Sequence, residues 1–143
     1  SEPLQLLRTE PGAAYRQMLN RIRLFISADV GLGEYMAKNF EAMACGCVLL
    51  AWRQGSEEPA IGLRDGEHLL LYSNLDELRE HIAALRGDPA LAQRIADAGR
   101  AFVESRLSYP HLAARMATLL AEPWPLVAPL TGWRAFCQRL GFI

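Results

Sequence analysis

Residues 47–52, CVLLAW, are apolar at every position, with Gly46 before them and Arg53-Gln54-Gly55 after. A half-buried strand alternates in polarity and a strand covered on both faces does not. The run therefore predicts a central strand of a parallel sheet packed between helices. The preceding segment, YMAKNFEAMA (35–44), reads as a helix that stops at Gly46, a residue suited to the left-handed turn after a helix end. Helix, glycine and doubly buried strand in direct succession restrict the chain to α/β order. Glu41 is the single acid in that helix.

The flanking segments extend the pattern. After Pro11-Gly12, AAYRQMLNRI (13–22) has Tyr15, Met18, Leu19 and Ile22 at helical spacing, and RLFIS (23–27) is short and β-rich. ADVGLGE (28–34) reads as the loop at that strand's carboxyl end. RQGSEEPAIGLRDG (53–66) reads as a loop with one helical turn, followed by a third strand, EHLLLY (67–72). Asn74 and Glu77 form a capping box for a helix over 75–87, with Leu75, Leu78, Ile82 and Leu85 predicted to face inward. Asp88-Pro89 opens the next helix, with Leu91, Ile95, Ala98 and Phe102 as its buried stripe. Ser108 caps a further helix to about Leu120; EPWPLVAP then breaks the pattern before a short helix, TGWRAFCQRL.

The predicted fold is α/β, a partial Rossmann-like parallel sheet flanked by helices, with a helical C-terminal end. Residues 1–121 are expected to form the sheet domain and 122–143 a Pro/Trp-rich segment with a short amphipathic helix. Three strands are few for a free-standing doubly wound domain, and the chain does not begin with methionine. The expectation is a piece of a longer protein.

With 15 Lys and Arg against 16 Asp and Glu, no basic surface points to nucleic acid. No stretch approaches the roughly 20 apolar residues of a membrane-spanning helix. The N-terminal SEPLQLLRTEPG lacks a basic-then-apolar leader layout. Cys45, Cys47 and Cys137 make an odd count, so reduced thiols and a cytoplasmic location are expected. In the final helix Trp133, Phe136, Cys137 and Leu140 share one face. That face could pack on its own domain, dock on another part of the protein, or touch the inner membrane surface.

In an open parallel sheet, ligands sit beyond the carboxyl ends of the strands. The loop after RLFIS and the following helix start are therefore the leading candidates. Gly31 and Gly33 permit close backbone approach, and helix N-terminal N–H groups favour phosphate. Lys38 adds a positive charge one turn before Glu41, with Asn39 between them. A carboxylate suits the paired hydrogen bonds of a sugar's vicinal hydroxyls. By residue type alone Glu41 also fits the solvated edge of a core helix, and Lys38 a solvated helix lysine. Cys45 and Cys47 lack further ligands for a metal and read as small packing residues. His68, His81 and His111 lack triad spacing, and Glu57 and Glu58 read as a solvated loop pair.

FEAMACGCVLLAW resembles the EAMA-x-G-x-P-V-I-A segment in the nucleotide-binding half of two-domain (GT-B) glycosyltransferases. Residues 63–116 (LRDGEHLLLYSNLDELREHIAALRGDPALAQRIADAGRAFVESRLSYPHLAARM) resemble the tail of group 1 glycosyltransferases, nearest the spore-maturation-protein-like branch. The resemblance covers roughly residues 15–121. It implies that Glu41 binds the donor ribose, that Lys38 faces the donor phosphates, and that Gly46 links helix to strand. It further implies a nucleoside-diphosphate sugar as donor substrate, no cofactor, no metal, and an absent N-terminal acceptor domain as partner. Gly33 stands where the family carries a second glutamate, with Glu34 one residue out of register; LSYPHL keeps Tyr109 but lacks the branch's first histidine and its arginine. The expected function is donor binding for glycosyl transfer to a glycan, lipid or protein acceptor, the fragment being inactive alone. No catalytic residue is assigned. The alternative is a non-catalytic module of the same fold used for protein–protein contact.

Overall fold

The computed structural model describes residues 10–28 and 33–123. The order is α1 (Ala13–Leu19), β1 (Leu24–Ser27), α2 (Ala37–Ala44), β2 (Val48–Trp52), α3 (Glu57–Ile61), β3 (Leu70–Tyr72), α4 (Leu75–Gly87), α5 (Pro89–Arg106) and α6 (Tyr109–Ala121). The three strands form one parallel sheet in the order β1-β2-β3. Leu24 to Ser27 pair with Val48 to Ala51, and Leu50 to Trp52 with Leu70 to Tyr72. This is the α/β fold expected from the sequence.

The central position of β2 accounts for its composition. Leu49 and Leu50 point to opposite faces and both are 0% exposed. Burying such a side chain contributes about 1.5–3 kcal/mol. On one face Leu49, Ala51, Leu69 and Leu71 pack with Met43 of α2 and with Phe102 and Val103 of α5. On the other, Val48, Leu50, Leu70 and Tyr72 pack with Leu85 of α4 and with Ile95 and Ala96 of α5. Helix α5 thus serves both layers. Between its two contact regions lies Gly99, where a Cβ would come within 2.6 Å of the His68 carbonyl oxygen. Only a residue without a side chain lets the helix pass that close to the backbone.

Local chemistry sets the boundaries. After α2, Gly46 takes φ +80°. Its N–H bonds the Met43 carbonyl and the Cys47 N–H bonds that of Ala42, closing the helix in a Schellman turn. The Asn74 side chain accepts from the Asp76 and Glu77 N–H groups, while Glu77 accepts from the Ser73 N–H at 2.7 Å. Asp88 caps α5 by accepting from the Leu91 N–H at 2.9 Å, with Pro89 in the first turn.

Two expectations need correction. Glu67 and His68 belong to a turn rather than to β3: Gly66 N–H bonds Leu69 O, His68 N–H bonds Arg64 O, and Arg64 N–H bonds His68 Nδ1. These bonds occupy the groups a longer strand would need. Leu75, predicted to face inward, is 66% exposed. It opens α4, and helical side chains lean toward the N-terminus, carrying this one past the packed region.

By packing, the described residues fall into two compact units, the first ending at Leu112 and the second starting at Ala113 within α6. The predicted final helix, with Trp133, Phe136 and Leu140, lies outside the described residues. Among the described residues no helix is long and apolar enough to cross a membrane.

Candidate functional site

Helix α2 begins after the carboxyl end of β1, as an open parallel sheet requires of a ligand-facing helix. Helical rotation sorts its residues. Asn39, Ala42 and Met43 are buried, whereas Lys38 and Glu41 are exposed. Three residues apart, Lys38 and Glu41 are neighbours on the outer surface. Asn39 turns inward, away from that pair, and its Oδ1 is buried without a hydrogen-bond partner. Gly33 is exposed with φ +67°, a left-handed conformation that glycine adopts without strain. Glu34 is exposed beside it, and Gly31 lies outside the described residues.

Glu41 does not stand alone. The Tyr15 side chain of α1 lies beside its carboxylate, and partial burial, then that neighbouring acid, raises the Tyr15 pKa. Tyr15 is fixed in turn by the small apolar cluster of Leu19, Ala42 and Cys47 between α1 and α2. Cys47 completes this contact: its Sγ lies 3.4 Å from Leu19 O and 3.2 Å from Ile22 O, and burial pushes its thiol pKa up to about 11. A buried, protonated thiol of this kind is a packing group, not a nucleophile. The surface so built offers an exposed carboxylate and a cation side by side. Such a pair can accept from sugar hydroxyls and attract a phosphate.

A second polar cluster lies above the sheet. Glu58 is 6% exposed, which corrects its sequence reading as a solvated loop acid. Its Oε1 accepts from the Tyr35 hydroxyl at 2.9 Å and from the Gln54 N–H at 2.7 Å, while Oε2 has no hydrogen-bond partner. Burial, then the bond to Glu58, pushes the Tyr35 pKa far above its ordinary value. Nearby, Asp65 pairs with Arg53 at 3.1 Å and accepts from the Leu71 N–H at 2.9 Å. Tyr72 donates to the Ser27 carbonyl at 3.0 Å. Together these bonds tie the loops following β1 and β2 to the sheet's carboxyl edge. One sequence signal anticipates the burial of Glu58: it lies one helical turn before Ile61 and just ahead of the apolar Leu63. Nothing local anticipates Tyr15, whose partner is 26 residues away.

Among the described residues no three His, Cys, Asp or Glu side chains gather into a metal-binding group.

The fold has solved counterparts. The chain is similar to sucrose-phosphate synthase from Thermosynechococcus elongatus, with TM-score 0.55 and 22% identity, over 76% of this chain and 26% of that one. It is also similar to the C-terminal domain of a glycosyl transferase group 1 family protein (LpcC) from Francisella tularensis. There the TM-score is 0.54 and the identity 20%, over 72% of this chain and 53% of that one. The chain thus spans about a quarter of the first structure and about half of the second. No curated protein matches it.

The small parallel sheet and its flanking helices give the chain the α/β fold of a GT-B C-terminal domain, as in these counterparts. Residues 5–121 match the model of the glycosyl transferase-like family, and the chain belongs to that family.

Proposed function

We propose that this chain binds the nucleoside-diphosphate-sugar donor of a glycosyltransferase, and that Glu41 receives the ribose hydroxyls. The observation that carries the reading is the exposure of Lys38 and Glu41 side by side on the outer face of α2, with Tyr15 beside the carboxylate. An exposed carboxylate contributes little to the fold, which leaves Glu41 available to accept from a ligand's hydroxyls. Lys38 supplies charge for the diphosphate, and the backbone at Gly33 permits close approach. The diphosphate is bound by helix ends and basic side chains, with no resident metal or cofactor. Glu34, in the loop before α2, borders the donor sugar; Asn39, facing inward, supports the helix start instead of touching the donor. Transfer to a glycan, lipid or protein acceptor requires a second, acceptor-binding domain closing over this one, so the chain alone binds without turnover.

The test is an amide-shift titration of the folded chain with uridine and guanosine diphosphates. Shifts clustered at the start of α2, and their loss in Glu41→Ala, are expected. A folded sample with no response near Glu41 removes the proposal.

A further inference from the structure

A cleft of about 640 Å³ lies between the turn from Gly62 to His68 and the C-terminal half of α5. It shares no residue with the Lys38–Glu41 surface. Its polar groups are arranged around an imidazole. His68 is buried, with its ring 4.7 Å from that of Phe102. Its Nδ1 accepts from the Arg64 N–H at 3.1 Å, which in the neutral ring leaves the proton on Nε2. That nitrogen lies 3.4 Å from a Glu67 carboxylate oxygen, and the same oxygen is bonded by the Arg64 guanidinium. A carboxylate oxygen supplied by the protein therefore already occupies the position between an arginine and an imidazole N–H.

Arg106 completes the lining. Its guanidinium lies 5.3 Å from the centre of the Phe102 ring and makes no ion pair among the described residues. Gly62, at φ +88°, gives it room, since a Cβ there would lie 2.9 Å from Nη1. Burial lowers the His68 pKa; Arg64 and Arg106 push the same way against the opposing effect of Glu67, so both guanidinium groups act on the ring. The lining thus holds two arginines and one carboxylate, one positive charge in excess. An oxyanion is the ligand that this donor set lacks. The volume falls in the range that holds a small organic ligand, and Leu63, Ala98 and Phe102 provide an apolar wall for its body.

We propose that this cleft binds a phosphate monoester. Arg106 and Arg64 are the charged donors, His68 Nε2–H the neutral donor, and Glu67 a built-in competitor displaced when the phosphate enters. Free phosphate and a phosphate on an organic body share the donor chemistry, while the apolar wall favours the second.

The 143-residue chain is titrated with inorganic phosphate and with phenyl phosphate, following amide and histidine ring resonances. Expected shifts cluster between Gly62 and His68, and the His68 ring titrates at higher pH in the bound state because a dianion offsets the two guanidinium groups. Phenyl phosphate binds at least about tenfold tighter than inorganic phosphate. Arg106→Gln weakens phenyl phosphate about tenfold or more. Glu67→Gln, on an exposed turn and benign to the fold, tightens it severalfold. Equal affinity for the two probes overturns the monoester assignment in favour of free phosphate. Shifts scattered over the surface, or insensitivity to both substitutions, overturn the site itself. Neither result bears on nucleotide binding at Glu41.

Discussion

Glu41 and Glu58 are the same residue type with opposite surroundings. Glu41 is exposed on α2 with one tyrosine beside it; Glu58 is buried above the sheet with one oxygen bonded by Tyr35 and the Gln54 backbone. The first is affordable to lose for the fold because water replaces its contacts. The second is not, since its removal strands two donors where water is scarce. The contrast separates them: Glu58 shapes the loops over the sheet, whereas Glu41 does little for the fold and fits the proposed donor contact.

Four experiments break or sharpen the contrast. The largest effect is expected from Glu58→Ala, which should lower stability by about 3 kcal/mol, read from urea unfolding. A loss below about 0.5 kcal/mol would show the acid to be dispensable to the fold and erase the distinction. Glu41→Ala should leave the unfolding midpoint unchanged while weakening uridine or guanosine diphosphate by about tenfold or more, measured by calorimetry. A large stability loss without an affinity change would reverse the two roles. Tyr15→Phe keeps the packing and removes only the hydroxyl, so nucleotide affinity should fall by only about three- to fivefold. An unchanged affinity would mean that Glu41 needs no positioning.

The smallest effect is with pH. Tyr35 is raised in the folded state, so the unfolded chain loses that proton first, beginning near the ordinary tyrosine value of about 10. Stability from this group is whole below that pH and falls as pH rises beyond it. Unfolding followed at increasing alkalinity should show the decline, and Tyr35→Phe should flatten it. Equal slopes in both proteins would remove Tyr35 as its source.

What could be read from the sequence was what neighbours in the chain decide. The apolar run at 47–52, the Gly46 stop, the Asn74 cap and the Asp88-Pro89 start each depend on a few adjacent residues; the run forms β2 from Val48, and the other three are present. The exposure of Lys38 with Glu41, and the inward turn of Asn39, follow from helical rotation alone. What escaped depends on distant partners. Glu58 is buried because Tyr35, 23 residues earlier, reaches it. His68 leaves the strand because its ring and backbone close a turn with Arg64. Tyr15 joins Glu41 only once α1 lies against α2. Family resemblance supplied the role proposed for Glu41, but not the tyrosine beside it.

The passage of α5 at Gly99 has a consequence for cooperativity. Ile95 and Ala96 belong to one core and Phe102 and Val103 to the other, so neither can open without disturbing the same helix. A small sheet with two independent layers would show two tiers of amide protection. This one should show a single tier, with β2 and the middle of α5 exchanging together in one global event. Gly99→Ala would strike both cores through one contact.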